Sequence, residues 1–83
     1  MIYQVLVEKQ VQKTLEKIPP PFYTQIKRSI LQLAHNPRPV GYIKLKNRDG
    51  YRIRIGEYRV IYDIKDKTLT VLVLKVGHRK SIY

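Results

Sequence analysis

The sequence predicts an α+β domain of order β-α-α-β-β-β, an antiparallel four-stranded sheet with a helical hairpin packed on one face. Three observations carry this. Gly50–Tyr62 reads as two alternating strands about the tight turn Gly56-Glu57. Two stretches of helical period flank Pro19-Pro20-Pro21. Leu69–Val76 is apolar on both faces, as expected of a strand inside a sheet.

The elements follow in order. Ile2–Val7 is β-rich and short, a first strand. From Glu8 to Ile18 the period changes, and Val11, Leu15 and Ile18 form one helical stripe. Lys9, Lys13 and Lys17 lie on another side, as a solvated face. The three prolines stop this helix, because proline lacks an N–H and fixes φ, yet proline suits the first turn of the next. Phe22 to about Ala34 is that next helix, with Phe22, Ile26, Ile30, Leu33 and Ala34 on one side. Asn36-Pro37 ends it. His35 falls in its last turn, where a cation suits the helix dipole.

Arg38–Asp49 is basic and irregular, and extended in part, since Lys44, Lys46 and Arg48 alternate with Ile43 and Leu45. Asp49-Gly50 turns into the hairpin. A two-residue loop fixes register. Ile55 then faces Tyr58, Arg54 faces Arg59, Ile53 faces Val60 and Arg52 faces Ile61. A polar turn around Lys65-Asp66-Lys67 leads to the last strand. The first strand is expected beside that last one and antiparallel to it. The helices bury their stripes on the sheet face carrying Tyr51, Ile53, Val60 and Tyr62, and the arginine face stays open.

The 83 residues fit a single domain, 1–83, with a thin core, since a chain this short buries only about 60% of its unfolded surface. Seventeen Lys and Arg against six Asp and Glu give a net charge of +11, which favours nucleic acid or another anionic partner. There is no cysteine, which excludes disulfides, thiolate metal sites and thiol nucleophiles. The two histidines are far apart and no carboxylates cluster, so no metal or other cofactor is expected. The first residues have neither the basic region nor the apolar run of a signal peptide, and no stretch nears the ~20 apolar residues of a membrane span. The expectation is a soluble, cytoplasmic protein with no membrane partner.

Like charges opposite one another weaken a sheet. Arg54 beside Arg59, with Arg52 two residues along, therefore points to an anion rather than to stability. Guanidinium groups bind phosphate through forked hydrogen bonds, and tyrosine stacks on bases. Cleavage of RNA needs no protein nucleophile, because the 2′-hydroxyl supplies one. It needs positive charge at the phosphorane and groups that move protons. Tyr83, His78, Lys80 and Glu57 are the candidates for proton transfer. A wet sheet face, a nucleic-acid binder and an RNA-cleaving enzyme all remain open at this level.

Tyr51-Arg-Ile-Arg-Ile-Gly-Glu-Tyr-Arg-Val-Ile-Tyr62, then Val71-Leu-Val-Leu-Lys-Val-Gly-His-Arg-Lys80 and Tyr83, resembles the RelE family of the RelE/ParE toxin superfamily. Asn36-Pro-Arg-Pro, Gly41 and Lys44-Leu45 fit it too. The resemblance spans essentially the whole chain and implies a RelE-like fold. It also implies a toxin of a type II toxin–antitoxin system, an endoribonuclease (mRNA interferase) that cleaves mRNA in the ribosomal A site without metal. The products would be a 2′,3′-cyclic phosphate and a 5′-hydroxyl. The implied partners are mRNA, ribosomal RNA and a cognate antitoxin, with operator DNA reached only through the antitoxin.

The resemblance assigns catalytic positions to Arg52, Arg54, Arg59, Arg79 and Tyr83, with His78 beside them. Lys44, Lys46, Arg48 and Lys80 are RNA-binding candidates. Arg52 and Arg54 stand where the best-known member has two lysines, and arginine is a poor general base. The spacing from Arg79 to Tyr83 is also shorter than in that member. Two alternatives share the fold: a ParE-like inhibitor of DNA gyrase, and a catalytically weakened corepressor that binds the antitoxin.

Overall fold

The computed structural model describes residues 2–78 and 80. Its elements are β1 (Gln4–Val7), α1 (Lys9–Glu16), α2 (Phe22–Gln32), β2 (Ile43–Lys44), β3 (Tyr51–Ile55), β4 (Tyr58–Lys65), a 3-10 turn (Asp66–Thr68) and β5 (Thr70–His78). The strands form one five-stranded sheet in the order β1-β5-β4-β3-β2. The α+β class and the element order agree with the sequence. Two details differ. The sheet has a fifth, two-residue strand, β2, and β1 runs parallel to β5, so the sheet is mixed.

Alternation tells which residues share a face and says nothing about strand direction. Direction comes from long-range ties at one end of β1. The Tyr3 N–H donates to the Ala34 carbonyl and the Gln4 N–H to the Leu69 carbonyl. The Tyr3 hydroxyl donates to Asp66 Oδ1 at 2.6 Å, and Arg38 Nη2 reaches Asp66 Oδ2 at 2.9 Å. These bonds hold the start of β1 against the start of β5. As the sequence predicts, β5 is internal, flanked by β1 and β4.

The hairpin register is the predicted one: Ile55 opposite Tyr58, Arg54 opposite Arg59, Ile53 opposite Val60 and Arg52 opposite Ile61. Gly56 makes the two-residue loop possible by adopting φ +60°, which a side chain would resist. Val11, Leu15, Ile26, Ile30 and Leu33 of the helical segments are buried on Ile53, Val60, Tyr62, Ile64, Val71, Val73 and Val76 of the sheet. An eight-residue helix such as α1 is not stable alone in water, and neither helix has a side-chain cap. The apolar stripe holds both helices in place.

The arginine face is less open than alternation implies. Leu45 folds over it and packs on Ile61, which is 0% exposed, with Leu74 alongside. This cover comes from the β2–β3 connection, where the Leu45 N–H donates to the Gly50 carbonyl.

One buried polar bond ties the segment after α2 to the sheet. The Tyr62 hydroxyl donates to the Pro37 carbonyl at 2.7 Å. Burial pushes the Tyr62 phenol up to about 12, so it stays a donor. Tyr62→Phe should lower stability by about 1–2 kcal/mol, because the Pro37 carbonyl loses its partner. Urea unfolding of the two proteins checks this as a lower midpoint at unchanged slope.

The Asp66 carboxyl is held below its ordinary 3.8, first by the Arg38 hydrogen bond and then by the Tyr3 hydroxyl. A folded pKa below the unfolded one adds stability above the ordinary value, lost as pH falls through the lowered one. The stability difference between the native chain and Asp66→Asn should therefore be constant above about pH 5 and shrink below about pH 4. Unfolding curves across that range measure it.

Candidate anion-binding face

The functional side chains are placed by the register of β3, β4 and β5. Arg54 pairs with Arg59, and Arg59 pairs with Gly77. In the next row Arg52 pairs with Ile61, and Ile61 with Lys75. Directly opposed residues on neighbouring strands have Cβ atoms about 5 Å apart. Arg54 and Arg59 thus leave the sheet side by side on the face opposite the helices. Gly77 adds no side chain to their row. Lys75 adds an amine one row away.

Lys75 was not among the residues singled out from the sequence, and a β-bulge explains why. The register slips between Ile61 and Tyr62, with Tyr62 opposite Val73 and Ile61 opposite Lys75. Leu74 is the extra residue. Without it, Lys75 would follow Val71 and Val73 onto the helix-covered face. With it, Lys75 and Gly77 turn to the arginine face, and Val76 and His78 turn to the helix side.

That reversal also decides which way His78 faces. His78 pairs with Tyr58, and their rings lie edge to face with centroids 5.9 Å apart. Tyr58 in turn stacks on Phe22 at the helix side, 5.6 Å between centroids. The Lys80 backbone N–H donates to His78 Nδ1 at 3.3 Å, which puts the proton of neutral imidazole on Nε2, 3.8 Å from a Glu57 carboxylate oxygen. By register, His78 and its neighbour Tyr58 thus face away from Arg54. Arg79 and Tyr83 lie outside the described residues. Lys80 is exposed just past β5.

The remaining basic candidates gather around Arg52. A hollow of about 300 Å³ is lined by Ile43, Lys44, Leu45, Lys46, Arg48 and Arg52. Leu45, seated on Ile61, anchors the turn that carries exposed Lys46 and Arg48. Lys44 pairs with Tyr51 and sits at the rim. The face therefore runs from Lys46 and Arg48, past Arg52, to the Arg54–Arg59 pair and Lys75. Among the described residues, no group of three His, Asp or Glu side chains comes together to hold a metal ion. No described helix is long and apolar enough to cross a membrane. A strip of guanidinium and ammonium groups of this kind can hold a polyanion and stabilise charge developing on a phosphate.

The opposition of Arg54 and Arg59 works against the fold, which gives it a measurable signature. Arg54→Thr should leave stability unchanged or raise it by up to about 0.5 kcal/mol. The same change should weaken binding of single-stranded RNA and flatten its salt dependence by about one phosphate contact. Denaturant unfolding and salt-dependent binding titrations on the same two proteins test both halves.

Comparison with known proteins gives consistent relatives. Residues 5–83 match the family model for the ParE toxin of type II toxin–antitoxin systems, parDE. A Methanocaldococcus jannaschii protein bearing the toxin name RelE1 is 31% identical over 87 residues, covering 100% of this chain and 97% of that relative. The toxin RelG of Mycobacterium tuberculosis is 32% identical over 85 residues, covering 100% of this chain and 98% of that relative. Among solved structures, an archaeal RelE–RelB complex from Pyrococcus horikoshii OT3 matches with a TM-score of 0.86 and 34% identity, over 98% of this chain and 99% of that one.

Proposed function

Since the chain belongs to the ParE toxin family of type II toxin–antitoxin systems, with relatives that carry RelE names, we propose that it is a metal-independent endoribonuclease that cleaves mRNA in the ribosomal A site. The observation that carries this reading is the Arg54–Arg59 pair on the face the helices leave uncovered, extended by Arg52 and Lys75. A fold gains nothing from opposed arginines, whereas a bridging phosphate gains both.

In this reading Arg54 and Arg59 grip the non-bridging oxygens of the scissile phosphate. The neighbouring 2′-oxygen attacks phosphorus and loses its proton. The bond to the 5′-oxygen breaks, and that oxygen takes a proton. The products are a 2′,3′-cyclic phosphate and a 5′-hydroxyl, so atoms and charges balance with no metal and no protein nucleophile. The arginines stabilise the charge that develops on the phosphorane. By family resemblance, Arg79 serves the leaving oxygen and Tyr83 stacks on or orients a nucleotide. Arginine cannot accept the 2′-proton at neutral pH. That task falls to a group other than these arginines, and Lys75 adds an ammonium to the same face, which can donate but not accept at neutral pH.

Lys44, Lys46, Arg48 and Lys80 extend the contact to flanking mRNA and ribosomal RNA. The inhibitory partner is a cognate antitoxin, as suggested by the RelE–RelB complex of the Pyrococcus relative. Operator DNA is reached only through that partner, and the protein works in the cytoplasm.

The ParE name of the matching family favours a second reading, inhibition of DNA gyrase without RNA cleavage. Expression in cells separates the two. The ribonuclease reading predicts growth arrest with new mRNA 5′ ends inside translated codons. It also predicts that Arg59→Ala and Arg79→Ala each lower cleavage by at least ~100-fold. DNA breaks with intact mRNA, or full toxicity in both variants, would refute it.

A further inference from the structure

Among the described residues, the edge of β3 beside Arg54 is unfinished. β2 covers only its first half: Lys44 pairs with Tyr51 and Ile43 with Arg52. Continuing that register would set Gly41 opposite Arg54. Instead the chain leaves the ladder there. Gly41 takes φ +92°, and the Tyr42 N–H closes a turn onto the Pro39 carbonyl. In the two-residue hairpin, Ile55 and Ile53 exchange backbone bonds with β4, so the N–H and C=O of Arg54 point away from β4. They point at the position Gly41 has vacated.

A cleft of about 650 Å³ opens there, lined by Leu33 and Gln32 behind, Val40 and Gly41 on one side, and Ile53 to Ile55 on the other. Val40 stands fully in solvent at its rim. Folds blunt such an edge with charge, and Arg54 does some of that. Charge does not account for a cleft directly behind it, in which Leu33, Ile53 and Ile55 lie among the polar Ser29, Gln32, His35 and Asn36.

The geometry points to a strand-addition site for an acidic, extended peptide segment of a partner protein. The residue opposite Arg54 would exchange two backbone hydrogen bonds with it. Its side chain would then lie on the arginine face, against the Arg54 guanidinium. Its two neighbours would point the other way, into the cleft beside Ile53, Ile55 and Leu33. The fitting pattern is therefore apolar, acidic, apolar. A second copy of this chain does not suit the edge, because it would bring another +11 charge and a second Arg54 against the first. Backbone donor and acceptor together favour a peptide over RNA. Docking depends on the edge alone. A further consequence rests on the ribonuclease reading: the peptide carboxylate would compete with phosphate for Arg54.

The test uses the full chain labelled with nitrogen-15 and three short capped peptides. One carries Val-Glu-Val between serines. The second carries Glu-Val-Glu. The third is the first with its Glu backbone nitrogen methylated. The first peptide should shift the amide signals of Ile53, Arg54, Ile55 and Gly41. The other two should bind at least about tenfold more weakly. Arg54→Gln, which keeps the backbone N–H, should still bind Val-Glu-Val but lose preference for Glu over Gln in the peptide. Arg54→Pro removes the outward N–H without touching the β4 ladder, and should abolish binding while the spectrum stays folded.

Equal binding of the methylated peptide, no shift at these amides, or retained binding by Arg54→Pro would overturn the site. So would an oligouridylate that shifts them when no peptide does, since the cleft would then be a nucleic-acid subsite. None of these readouts involves RNA cleavage, so failure here and failure of the ribonuclease reading are separable.

Discussion

Everything in this molecule that bears on function depends on the pairing of β3 with β4 across the Gly56-Glu57 turn. A loop one residue longer or shorter would change which residues face each other, and a one-residue slip would send every side chain of one strand to the opposite face. The observed register sets Ile53 and Val60 under the helices and Arg54 and Arg59 together on the other side. The same pairing that builds the core therefore builds the basic strip. The two cannot be tuned separately, which explains how a fold this small tolerates opposed arginines: the apolar face of the same strands stabilises the register that forces them together.

This hairpin was legible in the sequence because its determinants are local. A glycine sits where a positive φ is needed, and strict alternation runs on both sides of it. The helices were legible for the same reason, through stripes and proline punctuation. What the sequence hid was long-range. The direction of β1 depends on Tyr3, Arg38 and Asp66 meeting across most of the chain. The cover of Leu45 on Ile61 depends on how an irregular basic segment folds back. Neither leaves a periodic trace.

The bulge at Leu74 is the most consequential of these hidden features. A strand apolar on both faces, such as Val71–Leu74, carries no alternation to betray a change of parity. One extra residue there moves Lys75 onto the arginine face and His78 off it. The signal was present only as a mismatch: Val76 needs burial, yet simple alternation from Val73 would bury Lys75 instead. Reading the strand backwards from Val76 would have exposed it. The consequence is chemical as well as geometric, because a histidine is exchanged for a lysine near the proposed phosphate.

In the proposed ribonuclease, Arg54 and Arg59 act as one phosphate clamp on the face that His78 turns away from. Side-chain Nε–Hε NMR of the full chain, titrated with a short single-stranded RNA made uncleavable by 2′-O-methylation, tests it directly. The Arg54 and Arg59 guanidinium signals should shift together along one binding curve while the His78 imidazole signals stay in place. Shifts led by His78 or by the lysines of α1, with both arginine signals unmoved, would contradict it.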